Sequence, residues 1–322
     1  TINMKNLLIC GGSGFIGSHF IEEIINRDDV KNVYNIDCGT YAANKNLCFD
    51  KHPKYHKLTL DIAAPYFPDQ KNYLHSLTPS HVVHFAAESH VDKSISGPKR
   101  FVETNIIGTF NLLEIFKSYN LNKFIHVSTD EVYGSLGFKQ SSFDVDSPYR
   151  PNSPYSATKA ASDLLVRSYN KTYGTPTIIT NCSNNFGPRQ FPEKLIPLAI
   201  NKLKNKECIP VYGKGDNIRD WIYVKDHVNA LICVLLNGTE GKQYLIGGNN
   251  EMSNMELLNL IVSTYENATN QKVDWERFDY VSDRLGHDFR YSINNFDFCA
   301  EFPEWKTSSF EDSIRKTILS YI

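Results

Sequence analysis

No Cys-x-x-Cys pair, basic run, internal repeat or low-complexity tract occurs in the 322 residues. The seven cysteines, at positions 10, 38, 48, 182, 208, 233 and 299, are odd in number and irregularly spaced. That argues against a disulfide framework or a zinc site and fits a cytosolic chain with reduced thiols. Neither sign of charge is in excess: 34 Lys and Arg stand against 36 Asp and Glu, a net of −2, so nucleic-acid binding has little electrostatic support. No apolar run approaches the roughly 18 residues of a membrane span. The first apolar stretch, residues 7–10, is too short for the core of a signal peptide and continues into a glycine turn. What remains is ordinary globular composition, 41% hydrophobic and 22% charged, suited to one large or two modest domains sharing a core.

The first half alternates short apolar runs with amphipathic stretches. Residues 7–10, 33–36, 81–85, 124–128 and 177–181 read as buried strands, and 15–27, 98–119 and 154–173 as helices. In the second helix Ile106, Phe110, Leu113 and Phe116 recur at steps of three and four. Strand–helix–strand order predicts an α/β fold, a Rossmann-type doubly wound parallel sheet. After about residue 180 proline and glycine punctuate the pattern; helices resume at 194–204 and 226–236, and Ser253-x-x-Glu256 and Ser308-x-x-Glu311 read as capping boxes. The expected division is a dinucleotide-binding domain over 1–180, with a return of residues about 220–240, and a smaller mixed α/β lobe over 181–322.

Gly11-Gly12-Ser13-Gly14-Phe15-Ile16-Gly17 follows the first strand and opens a helix. Glycines there permit a tight turn and let backbone amides approach a pyrophosphate at the helix N-terminus, although a glycine-rich structural turn is the plainer reading. Asp37 closes the second strand, where a carboxylate can accept from ribose hydroxyls and would repel a 2′-phosphate. No arginine occurs in Cys38-Gly39-Thr40, so NAD is favoured over NADP. Asp61 follows the third strand, placed for an adenine amino group or simply solvated in a loop.

Tyr155 and Lys159 lie four apart at the start of a predicted helix, behind Ser153 as N-cap and Pro154 at its first position. That spacing puts both on one face, where the ammonium, together with a positive nicotinamide, is expected to lower the tyrosine pKa; the same pair on any helix is usually just surface. The preceding strand ends Val127-Ser128-Thr129-Asp130-Glu131. Two adjacent carboxyls beyond a strand's carboxyl end should titrate apart, giving an acid and a base, unless they merely solvate a turn or cap a helix.

With Tyr155-x-x-x-Lys159, the glycine motif resembles the extended short-chain dehydrogenase/reductase superfamily. Within it, Ala86-Ala87-Glu88-Ser89-His90-Val91-Asp92, Ser128-Thr129-Asp130-Glu131-Val132-Tyr133-Gly134, Asn181-Cys182-Ser183-Asn184-Asn185, Phe191-Pro192-Glu193-Lys194-Leu195-Ile196-Pro197, Arg219-Asp220-Trp221 and Asp283-Arg284-Leu285-Gly286-His287-Asp288 resemble the dTDP-glucose 4,6-dehydratases. The likeness runs from about residue 5 to 320. It implies that Tyr155 takes the 4-hydroxyl proton while hydride leaves C4 of glucose for NAD, and that Thr129 hydrogen-bonds the ketone. Glu131 then removes the C5 proton and Asp130 protonates the departing 6-hydroxyl. The resemblance further places Gly11, Gly14, Phe15, Ile16, Gly17, Asp37, Thr40, Asp61, Ile62, Ala86, Ala87, Thr104, Tyr155, Lys159 and Asn185 at the cofactor. Ser89, Thr129, Asn184, Lys194, Leu195, Tyr212, Arg219, Asn254, Arg284 and His287 are placed at a nucleotide-diphosphate-glucose.

Some positions depart from the family: Lys93 for arginine, Arg189 for an aromatic, Leu285 for proline, and Tyr291-Ser292-Ile293-Asn294 for the usual ending. Arg189 is expected near the nucleotide, which keeps UDP-glucose open beside dTDP-glucose. A sugar-nucleotide 4-epimerase would need Tyr155 and NAD without the two carboxylates; a non-catalytic NAD-sensing protein would keep only the fold. A homodimer is expected by resemblance, with helices 98–119 and 154–173 pairing with their copies as a four-helix bundle.

Overall fold

The computed structural model describes residues 5–65 and 68–322. Seven short apolar runs form one parallel sheet: β1 (Asn6–Cys10), β2 (Asn32–Ile36), β3 (Tyr55–Leu58), β4 (His81–His84), β5 (Lys123–Thr129), β6 (Thr177–Cys182) and, after three intervening strands, β10 (Gln243–Ile246). Their order is β10-β6-β5-β4-β1-β2-β3, and every pairing is parallel. Strands covered on both faces read as continuous apolar runs, as Leu7, Leu8 and Ile9 do at 0% exposure. The doubly wound sheet expected from the strand–helix alternation is thus the one observed.

One face is covered by the helices Phe15–Ile24 and Val224–Asn237, which pack Phe20, Ile21, Val228 and Leu231 into the larger core. The other face carries Thr109–Phe116 and Pro154–Tyr173, which set Leu112, Phe116, Val166 and Tyr169 against Leu8, Val82 and Phe124. Outside the main sheet, β7 (Asn184–Phe186), β9 (Ile218–Tyr223) and β11 (Glu251–Ser253) form a three-stranded sheet, and β8 (Ile209–Tyr212) pairs with β12 (Phe278–Val281). The helices Leu195–Lys204, Asn254–Thr269 and Phe310–Tyr321 pack around them.

Local chemistry explains most helix boundaries. Ser153 accepts from Ser156 N at 3.1 Å, with Pro154 at the first position, and Gly174 in the left-handed region ends that helix. Ser253 and Glu256 make both bonds of their capping box. Three expectations need correction. Ser308 is no cap: its hydroxyl and amide donate to Asp226 at 2.7 and 2.8 Å, and Ser309 caps Phe310–Tyr321 instead. The Asp226 carboxylate, a charged acceptor, holds both Ser308 donors and fixes the residue there. The helix expected over 98–119 is interrupted: Pro98–Phe101 runs into a π-helical turn, Val102–Gly108, before Thr109–Phe116. The widened turn carries Asn105, whose side chain bridges Glu88 and Thr158. Finally, the expected strands lacked Gln243–Ile246, which joins the sheet edge beyond the stretch 220–240, whose helix Val224–Asn237 covers one sheet face.

Candidate active site

In a doubly wound sheet the ligand crevice lies beyond the carboxyl ends of the strands, where the strand order reverses. Here that is between β1 and β4, and a cleft of about 470 Å³ opens there, joined to a smaller one of about 100 Å³. Both include Gly11 and Gly14 in their walls. Gly11 has φ +81°, and a Cβ on it would lie 2.6 Å from the Ala86 amide; one on Gly14 would meet only the Gly11 carbonyl, at 3.3 Å. Gly14 is the N-cap of Phe15–Ile24 and supplies no side-chain cap, so the first-turn amides stay available to an anion.

The smaller cleft is lined by Asp37, Thr40, Asp61, Ile62, Ala86 and Thr104. Asp37 accepts from Ser13 N at 3.0 Å and Gly39 N at 2.8 Å, which fixes its carboxylate at the end of β2. The sequence reading looked for arginine only in Cys38-Gly39-Thr40, yet the fold brings in Arg100, from far along the chain. Its charge is already met by Asp61 at 3.2 Å and Glu88 at 3.7 Å. Asp37 lines the same cleft, so its wall carries three carboxylates to one guanidinium, an environment hostile to an extra phosphate.

The larger cleft is lined by Thr129, Glu131, Tyr155 and Lys159 from the sheet side and by Lys194, Leu195, Tyr212, Arg219, Asn254, Arg284 and His287 from the second lobe. Ser89, Asn184 and Asn185 complete the wall. Every cofactor- and substrate-site residue expected above lines one of the two clefts. Asp130 alone does not. It is 1% exposed, one layer behind the wall, with Oδ1 accepting from the Thr129 hydroxyl at 3.3 Å and Oδ2 without a partner. Thr104 Oγ1 and Asn184 Oδ1 are likewise buried and unpartnered in the walls. Buried polar atoms of that kind call for a ligand to complete them. Together with the open helix end and the anchored Asp37, they fit a dinucleotide.

The two carboxyls do separate. Burial raises Asp130 well above the ordinary carboxylate range, with the charges of Glu131 and Asp220 adding to it. Burial also raises Glu131, but Arg219 and Lys194 pull it back. For Tyr155 in the protein alone, burial first, then the charges of Glu131, Cys182 and Asp130, push the hydroxyl well above 10, against its hydrogen bond with Thr129. Lys159 does not offset this, because its ammonium donates to the Val127 carbonyl at 2.9 Å and is itself lowered by burial. Activation of Tyr155 therefore requires positive charge that the protein alone does not supply.

Arg189 lies outside both clefts, paired with Glu22 on the helix Phe15–Ile24 at 2.6 Å, so it does not bear on the nucleotide. Sequence reasoning missed Arg100, Asp92 and Tyr291, all in the walls. Tyr291 stacks under the Arg219 guanidinium at 4.4 Å. Only three-dimensional proximity reveals them. Among the described residues no group of side chains could hold a metal ion, and no helix is long and apolar enough to cross a membrane.

A family model described as GDP-mannose 4,6 dehydratase matches residues 8–317. The dTDP-glucose 4,6-dehydratase of Haemophilus influenzae is 43% identical over 99% of this chain and 98% of its own. The chain belongs to the dTDP-glucose 4,6-dehydratase family. The crystal structure of the Streptomyces venezuelae dTDP-glucose 4,6-dehydratase, with NAD bound, superposes with a TM-score of 0.89 at 40% identity, covering 98% of this chain and 96% of that one. The UDP-glucose 4-epimerase of Thermus thermophilus, also with NAD, follows with a TM-score of 0.85 at 25% identity, covering 98% of each chain. Dehydratases and epimerases thus share this architecture, and the dehydratase family is set apart in identity.

Proposed function

We propose that this chain is an NAD-dependent dTDP-glucose 4,6-dehydratase, a lyase that converts dTDP-glucose to the 4-keto-6-deoxy sugar nucleotide and water. The observation that carries the reading is the Thr129-Asp130-Glu131 turn at the end of β5, with Thr129 and Glu131 on the wall of the same cleft as Tyr155 and Asp130 buried behind them, where burial raises its carboxyl well above the ordinary range. An epimerase has no use for that pair. NAD held in the smaller cleft would supply oxidation at C4, without which the C5 proton is not acidic, and would give the same hydride back to C6 after water is lost, while C5 regains a proton, so no net oxidant is consumed.

Tyr155 removes the proton of the 4-hydroxyl, and its hydrogen bond to Thr129 sets the direction of its hydroxyl. Thr129, whose hydroxyl lies on the cleft wall, donates to the C4 ketone oxygen and so stabilises the enolate that follows. Glu131, on the wall and drawn towards its ionised form by Arg219 and Lys194, takes the C5 proton. Asp130, protonated because it is buried, gives its proton to the departing 6-hydroxyl. It lies directly behind Thr129, and its unpartnered Oδ2 is not held by any competing hydrogen bond. Lys159, tied to Val127, lies beside the cofactor cleft and holds ribose hydroxyls. Asp37 and the carboxylates around Arg100 select NAD over NADP. Arg219, Arg284 and Lys194 hold the diphosphate.

The working unit is a homodimer. Val102 and Ile107 in the π-helical turn, Phe110 on Thr109–Phe116, and Leu164 and Tyr173 on Pro154–Tyr173 are 40–58% exposed; an apolar surface of this kind supports pairing with a second copy as a four-helix bundle. All seven cysteines are unpaired, which supports a reducing, cytoplasmic setting. The deciding experiment incubates purified protein with dTDP-glucose and, separately, UDP-glucose, and follows products by mass spectrometry. Loss of one water, faster from dTDP-glucose, is expected. An epimerised product with its water retained would overturn the reading, and faster loss from UDP-glucose would replace the nucleotide.

A further inference from the structure

At the mouth of the larger cleft the Arg284 guanidinium is already taken. A terminal nitrogen donates to Asp92 Oδ2 at 2.9 Å, and Nε lies 2.5 Å from Asp92 Oδ1 in a charge contact that is not aligned as a second hydrogen bond. Tyr212 adds its hydroxyl to the same Oδ2 at 3.4 Å, and its ring lies 5.2 Å from the guanidinium carbon. All three residues line the cleft. Asp92 belongs to the helix Val91–Ser96, which follows β4 of the main sheet, whereas Tyr212 ends β8 and Arg284 follows β12 in the second lobe. The pair therefore bridges the two sides of the opening.

A guanidinium edge matches one two-oxygen anion at a time, and a diphosphate presents the same oxygen spacing as a carboxylate. We propose that Asp92 is a positioning residue that acts through Arg284 as an internal competitor of the nucleotide diphosphate. It holds Arg284 across the mouth, gives the guanidinium up when the diphosphate enters, and takes it back as product leaves. This rests on the reading of the cleft as a sugar-nucleotide site. The pair is partly open to solvent, 22% exposed at Arg284 and 36% at Asp92, so its effect is modest and screened by salt.

The test measures binding of dTDP to the NAD-loaded protein by titration calorimetry, with steady-state kinetics on dTDP-glucose, for the wild type, D92N and D92E. Removing the competing charge in D92N should tighten dTDP and lower KM about fivefold, without raising kcat. D92E should stay near wild type, and high salt should shrink the difference. In an R284K background, D92N should lose most of its effect, because the fork it frees is gone. Weaker or unchanged binding in D92N would overturn the competitor role and make Asp92 a plain structural support of Arg284. A wild type that turns over dTDP-glucose alongside such a result leaves the function intact. A wild type that binds no dTDP sinks the site reading and the competitor with it.

Discussion

Replacing Asp130 by asparagine keeps the shape of the side chain and removes its proton, which separates two consequences of burial. The carboxyl is 1% exposed, holds one 3.3 Å hydrogen bond from Thr129 and leaves Oδ2 bare. Burial, with Glu131 and Asp220 near, raises its pKa well above the usual range. As general acid it contributes about 10²- to 10⁴-fold, so Asp130→Asn should lower the rate of water loss by about a thousandfold. Glu131 is untouched, and in heavy water the recovered sugar nucleotide should still acquire deuterium at C5. Stability moves the other way. A carboxyl with a raised folded pKa favours the native state fully in acid and loses that contribution as pH rises past the unfolded value, so at neutral pH it is a burden. Asparagine lifts the burden, and the variant should gain about 1 kcal/mol, roughly 2 °C in Tm, with the gain fading as pH is lowered. Mass spectrometry for water loss and deuterium, with thermal melts across pH, measures all three. Water loss near the wild-type rate, or loss of C5 exchange along with it, would refute the division of labour between Asp130 and Glu131.

Burial lowers His126 to about 4 and His227 to about 3, so the unfolded chain gains protons there that the native state refuses. Each should cost about 1.4 kcal/mol per pH unit as pH falls from 6.5 towards those values, visible as a steep acid decline in Tm. Asp37→Ala removes the carboxylate anchored by Ser13 N and Gly39 N and should weaken NAD about ten- to a hundredfold in a fluorescence titration. Gly134, at φ +86°, has no room for a Cβ against the Arg150 carbonyl, so Gly134→Ala should lower stability by about 2–3 kcal/mol in a denaturant melt. The proposed homodimer predicts that Leu164→Glu, at a side chain 58% exposed, sediments as a monomer where the wild type sediments as a dimer, with the fold's circular dichroism intact.

Five of the seven strands were legible because they are short apolar runs, and a glycine turn marks the place a phosphate would approach; Tyr55–Leu58, with His56 and Lys57, carries no such run, and Gln243–Ile246 was not read as a strand. Residues that act through sequence-local chemistry, such as Ser153 with Ser156 or Ser253 with Glu256, could be read directly. Ser308 could not, because its partner Asp226 is distant in sequence and no spacing rule connects them. Tyr155 shows the same limit in electrostatic form. Helical spacing puts Lys159 on its face, but the sign of its shift is decided by desolvation and by carboxylates arriving from β5, quantities that exist only once the chain is folded. Arg100 likewise enters the smaller cleft through a π-interrupted helical stretch that periodicity alone would have drawn as a regular helix.

The strand Gln243–Ile246 closes the far edge of the sheet against β6. During synthesis from the N-terminus, β5 and β6 leave the ribosome well before this partner exists, so β6 stays an open edge until residue 246 has emerged. An unpaired apolar edge is a template for wrong pairing. The stretch in between, which builds the Arg219 wall, is thus made while the sheet beneath it is unfinished. Release of a truncated chain just short of residue 243 would leave most of the cleft's residues present and its supporting edge exposed, a product suited to aggregation rather than to partial activity.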